Sequence, residues 1–162
     1  MKTKSTGYFW QTISLGILAG MRTFAAPVIA SHILSQHPVK TLSGSPLKFM
    51  QSGKVATGFK IAAVGELVGD KLPFTPNRTE TGGVVGRCLS GGLAGATIYK
   101  ANKKNVIIGA IIGSTAAFAS TFGCYFLRKE IVKSTRIDDP WIGAIEDAMV
   151  IGSAIILVKS AD

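Results

Sequence analysis

The run from Asn105 to Leu127 carries no ionised side chain, and no other feature constrains this chain as much. At about 1.5 Å of rise per residue, a helix of this length crosses a bilayer core of about 30 Å. Within it, Gly109 and Gly113 stand four residues apart, a small-xxx-small spacing that lets two helices approach closely in lipid.

Four further apolar segments surround it. The first runs from about Tyr8 to Leu34, with Gly16 and Gly20 on one face, Tyr8 and Trp10 at its start, and Pro27 placed to kink it. The second, about Val55 to Lys71, puts Ala62, Glu66 and Asp70 on one helical face. Pro73 and Pro76 close it. The third, about Gly82 to Tyr99, carries Arg87 near its start and Gly91 and Gly95 further on. The last, about Trp141 to Val158, follows the helix-start signal Asp138-Asp139-Pro140 and bears Glu146 and Asp147. A polar loop, Ser35 to Lys54, and a basic turn, Lys100 to Lys104, separate the segments.

Glycine usage supports this reading. The chain has 19 glycines in 162 residues, and they fall inside apolar runs, where each costs a water-soluble helix about 1 kcal/mol relative to alanine. In lipid the same residues give close packing. The expectation is an all-α, polytopic bundle of about five transmembrane helices, some short or re-entrant, forming one integral membrane domain over residues 1–162. The first segment is read as a retained helix because Arg22 and the continued apolar run do not fit a cleaved signal. A faint internal repeat pairs Gly16-xxx-Gly20 and the Glu66 helix with Gly109-xxx-Gly113 and the Glu146 helix.

The net charge of +9 raises nucleic acid as a partner. The basic residues are scattered at segment ends, with no stripe or nucleic-acid motif, so anchoring to lipid head groups is the simpler reading. With five spans they divide eight (Lys2, Lys4, Lys71, Arg78, Arg128, Lys129, Lys133, Arg136) against seven (Lys40, Lys48, Lys54, Lys100, Lys103, Lys104, Lys159). That count leaves the orientation open.

The charges inside the segments are the candidate site: Arg22, Glu66, Asp70, Arg87, Glu146 and Asp147. Each costs about 2.5–3.5 kcal/mol at a membrane helix centre. Two arginines neutralise two acids and leave two carboxylates to be protonated, solvated or bound to a cation. The structural reading is pairing that fixes helix register. The functional one is a path or pocket for a proton, cation or small polar solute, with Glu66 and Glu146 exchanging charge and Arg22 as fixed counter-charge. No P-loop, dinucleotide fingerprint, His-Glu-x-x-His or catalytic triad pattern is present, so neither an enzyme nor a cofactor is expected. Cys88 and Cys124 make no disulfide framework, and His32 and His37 lack metal-site partners.

Several blocks resemble one bacterial membrane family, known only as domain of unknown function 4126. They are Ala19-Gly-Met-Arg-Thr23 with Ala26-Pro27, Gly65-Glu-Leu-Val-Gly-Asp-Lys-Leu-Pro73 with Pro76-Asn-Arg-Thr79, Arg87 before the glycine-rich helix, and Asp139-Pro140 leading to Glu146-Asp147-Ala148. The resemblance spans nearly the whole chain. It implies a small polytopic protein of the bacterial inner membrane, with charged positions at Arg22, Glu66, Asp70, Lys71, Arg78, Arg87, Glu146 and Asp147. It supplies no activity. So small a chain is expected to form a homo-oligomer, a dimer first of all, through exposed Gly-xxx-Gly faces. The alternative is a non-transporting scaffold or assembly factor whose buried charges are structural.

Overall fold

The computed structural model describes residues 7–69, 80–135 and 139–159. These residues form six α-helices: α1 (Gly7–Met21), α2 (Ala25–Gln36), α3 (Gly53–Gly69), α4 (Thr81–Ala101), α5 (Val106–Thr135) and α6 (Asp139–Lys159). Two short 3-10 helices, Lys40–Leu42 and Pro46–Gln51, shape the loop after α2. No strand occurs among the described residues. Among the described residues one helix, α5, is long and apolar enough to cross a membrane, over Val106–Lys133.

Four of the five expected segments fall where the apolar pattern places them, and α5 runs on through Arg128 and Lys129. The first segment does not. It is two helices, broken at Arg22-Thr23-Phe24, and the chain reverses there. Near the start of α1, the Tyr8 ring meets Tyr99 edge-on with centroids 5.0 Å apart. Just beyond α2, the Thr41 hydroxyl donates to the carbonyl of Ala101 (3.0 Å). Both outer ends of the pair therefore lie at the C-terminal end of α4, while the break between them lies beside Ser90, whose hydroxyl donates to Thr23 O. Pro27 does not kink a continuous helix. It occupies the third position of α2, where an N–H has no intrahelical acceptor to lose.

The centre of the bundle is α1, α4 and α5, joined through their glycines. A Cβ on Gly91 or Gly95 would strike the Gly113 or Gly109 carbonyl of α5, and one on Gly109 or Gly113 would strike α4 in return. Gly16 and Gly20 lie as closely against Gly113, Ala116, Ala117 and Ser120. Every glycine singled out for packing is thus consumed inside one chain, and these faces are not exposed for a second copy. Ser114 ties α5 to α4 at the Cys88 carbonyl (2.8 Å). Outside this trio, α2 packs on α4, while α3 and α6 both lean on α2. Leu42 and Met50, fully buried in the loop, continue the core beneath α2. The outward faces of α3, α5 and α6 are strongly apolar, as at Ile61, Val64, Ile108, Ile111, Phe126, Ile151 and Ile156.

Candidate functional site

The break between α1 and α2 frees backbone groups that would otherwise pair along a helix. Thr23 N and Phe24 N point away from the α1 ladder. The Glu66 carboxylate of α3 accepts both, Oε1 from Thr23 N at 2.7 Å and Oε2 from Phe24 N at 3.0 Å. It sits where the N-terminal dipole of α2 favours negative charge.

The carbonyls are met from the other side. Thr23 lies just before the N-cap of α2, so its carbonyl has no place in the helix ladder, and the residue four positions on, Pro27, has no N–H to offer it. The Ser90 hydroxyl of α4 donates to it instead. Thr121 of α5 reaches Gly20 O at 3.3 Å while also bonding back to Ala117 O. Its neighbour Ser120 donates to Ile17 O at 2.8 Å. Three surrounding helices therefore supply the polar atoms that a turn inside the bundle would otherwise take from water.

Arg22, the residue at the turn, is 7% exposed. Its Nε and one terminal nitrogen both donate to Asp147 Oδ1 of α6, at 2.8 and 2.5 Å. This charge-assisted fork closes the hairpin tip against α6. Glu66, by contrast, forms no ion pair among the described residues. Its partners are the two backbone N–H groups.

Arg22, Glu66 and Asp147 meet at a cleft of about 150 Å³ between α2, α3 and α6. The rest of its lining is apolar: Val28 and Ile29 of α2, Ala63 and Leu67 of α3, Val150 and Ile151 of α6, among others. The surface that the cleft exposes is almost wholly apolar, with the polar atoms of the three charged residues directed mainly to their own partners.

The structure thus brings together three of the six expected charged residues. Glu146, although adjacent to Asp147 in sequence, does not line the cleft. It is buried and turned toward Arg128 of α5, with 4.0 Å between the charged atoms. Arg87 is also buried, on α4, three residues before Ser90. Asp70, with Lys71 and Arg78, lies outside the described residues. Ser90, Thr121 and Arg128 were not singled out as site residues from the sequence. For Ser90 a signal existed, since a threonine four residues before a proline in an apolar helix leaves a carbonyl that something must satisfy.

The family model described as domain of unknown function (DUF4126) matches residues 10–160. The chain belongs to that family, and the matched region contains the whole hairpin tip and the Arg22–Asp147 and Arg128–Glu146 pairs. No curated protein and no solved structure matches it.

Proposed function

We propose that this is a small polytopic integral membrane protein in which α1 and α2 form a re-entrant hairpin. Its tip would carry a binding site for a proton, a cation or a small cationic solute. Three features support the membrane reading: the span-length α5, the apolar outward faces of α3, α5 and α6, and glycine packing of a kind that suits lipid better than water. At about 1.5 Å per residue, α1 (15 residues) and α2 (12 residues) are about 22 and 18 Å long. Each is too short to cross a 30 Å core alone. Thr121, beside the tip, lies about 22 Å along α5 from Val106, within the apolar run. Irregular backbone at such depth is tolerated where protein buries it or where it lines a cavity, and here both hold.

The observation that carries the functional reading is Glu66. Among the described residues it is the cleft carboxylate with no basic partner, and half-helix ends facing a cavity are a common way for transporters to build solute sites. Glu66 would exchange the charge, and the Arg22–Asp147 pair would be the fixed element. A scaffold role is the second reading. It is favoured by the same ion pair and by Arg128–Glu146, since both acids already have structural partners.

Thermal unfolding of the full chain in detergent separates the two. It would be run with sodium, potassium and tetramethylammonium chloride and across pH, for wild type and Glu66→Gln. A binding site predicts that one cation, or proton concentration, moves the wild-type midpoint and leaves Glu66→Gln unmoved. If the variant only melts earlier and neither protein responds to ions or pH, the charges serve the fold alone.

A further inference from the structure

The reversal at Arg22-Thr23-Phe24 redistributes the charge of the molecule. A five-span count puts the loop after the first segment opposite the N-terminus. In the structure that loop returns to the end at which α1 starts, α4 finishes and α5 begins. At this end stand Lys40, Lys48, Lys54, Lys100, Lys103 and Lys104, with Lys159 closing α6 on the same side. Lys60 follows less than two turns into α3. Among the described residues no acid stands at this end. At the opposite end the described basic residues are Arg128, Lys129 and Lys133, fewer than half as many. It is the number of lysines and arginines, more than the net charge, that sets orientation. Among the described residues, the lysines are concentrated at one end.

A second feature coincides with the lysine end. A pocket of about 400 Å³ opens between the end of α2, the loop that follows and the end of α4. Leu34, Val39 and Ile98 give it an apolar floor, and Gln36, His37 and Asn102 give it a polar rim. Lys40, Lys100 and Lys103 adjoin these lining residues directly in sequence. The Lys103 backbone holds a positive φ of 57° in the turn that presents it. Lys104 is drawn aside over the Tyr8 ring, at 5.6 Å from its centroid. An apolar floor under a polar rim, with lysines next in sequence to its lining residues, suits a phospholipid with an anionic head group.

We infer that the lysine end is the cytoplasmic face of the protein and binds anionic phospholipid, with the pocket between α2 and α4 taking the head group. The inference rests on the membrane reading above but not on the cleft at Glu66. Basic residues near membrane segments are retained on the cytoplasmic side, where the leaflet is negatively charged and each lysine near the surface gains about 1 kcal/mol. It follows that the hairpin α1–α2 enters from the cytoplasm and that both outer ends of the described chain, Gly7 and Lys159, lie there.

The test uses the full chain in neutral detergent micelles doped with phosphatidylglycerol or phosphatidylcholine, with inorganic phosphate as a third arm. Phosphatidylglycerol is expected to raise the unfolding midpoint by about 5 °C or more at saturation, and phosphatidylcholine and phosphate are not. The triple variant Lys40→Gln, Lys100→Gln, Lys103→Asn should lose most of that shift, while Lys129→Gln with Lys133→Gln should keep it. Equal shifts with both lipids, or an undiminished shift in the triple variant, overturn the lipid site. A shift with phosphate alone reduces it to an anion site. Orientation is read separately, on sealed right-side-out vesicles, with a membrane-impermeant maleimide and a Cys88→Ala, Cys124→Ala background. Lys133→Cys should label at once and Ser43→Cys only after permeabilisation. The reverse pattern overturns the assigned face, and failure of the chain to partition into vesicles at all would count against the membrane reading instead.

Discussion

Glu66 reaches across from α3 to hold Thr23 N at 2.7 Å, and its second oxygen holds Phe24 N at 3.0 Å. One side chain thereby does for the start of α2 what a local capping residue does elsewhere. The residue preceding α2 is Phe24, whose own side chain makes no such cap. Removing the carboxylate leaves two interior N–H groups without acceptors, at about 1–3 kcal/mol each. Glu66→Ala is therefore expected to destabilise the protein by about 3 kcal/mol. Glu66→Gln, which keeps one carbonyl oxygen, should cost about half of that. Thermal unfolding in one detergent would check the order, and an Ala variant as stable as wild type would contradict the role.

Ser90 and Pro27 are coupled through Thr23 O. With proline present, the Ser90 hydroxyl satisfies that carbonyl, and Ser90→Ala should cost about 1–2 kcal/mol. With Pro27→Ala, the new N–H lies in register to bond Thr23 O, since the next pair of the ladder, Val28 N to Phe24 O, is already formed at 3.0 Å. Ser90→Ala should then cost little. A double-mutant cycle reads this as a coupling energy of about 1 kcal/mol, and strict additivity would show that the two residues act independently.

The Arg22–Asp147 and Arg128–Glu146 pairs should differ in weight. Arg22 forks onto Asp147 at 2.5 and 2.8 Å with only 8% of its side chain exposed, whereas Arg128 and Glu146 stand 4.0 Å apart. Asp147 is 22% exposed at its side chain, which places its loss below the 3–5 kcal/mol of a fully buried pair. Asp147→Asn should cost about 2–3 kcal/mol and Glu146→Gln about 1 kcal/mol, by the same unfolding measurement. A larger loss at Glu146 would reverse the ranking.

Glycine substitutions should divide by partner. Gly95→Ala and Gly113→Ala push a methyl into the backbone of the facing helix and should each lower stability by 2 kcal/mol or more, about the cost of overpacking a rigid contact. Gly123→Ala and Gly152→Ala meet no atom within 4 Å and should be neutral, or stabilising by up to about 1 kcal/mol through helix propensity. Equal effects at the four positions would contradict the packing.

Much of this arrangement was legible in the sequence, for physical reasons that are easy to state. Long apolar runs and the proline, glycine and lysine between them mark α3 to α6 to within a few residues at most ends. Charges inside apolar runs are expensive, which is why Arg22, Glu66 and Asp147 stand out in the sequence, but only within a set of six that also holds Asp70, Arg87 and Glu146. The reversal at Arg22-Thr23-Phe24 was not legible from hydropathy, because its polar backbone is satisfied by distant side chains and needs no polar loop. The glycine faces were recognisable as contacts, but spacing does not say whether the partner helix is in the same chain. Arg128 read as a flanking anchor, since its pairing with Glu146 depends on how α6 turns back against α2 and α1 after α5 ends.

The reversal is the claim on which the site, the cleft and the lysine end all depend. It can be measured directly by pulsed electron spin resonance between labels at Trp10→Cys and Ser43→Cys, both exposed positions, in the Cys88→Ala, Cys124→Ala background and a lipid nanodisc. A fold-back places both labels at one end of the bundle and predicts a mean distance well below about 40 Å. That larger value is what a continuous helix from residue 8 to residue 34 would impose before the loop is added. A distribution centred at or above it would contradict the hairpin, and with it the account of Glu66.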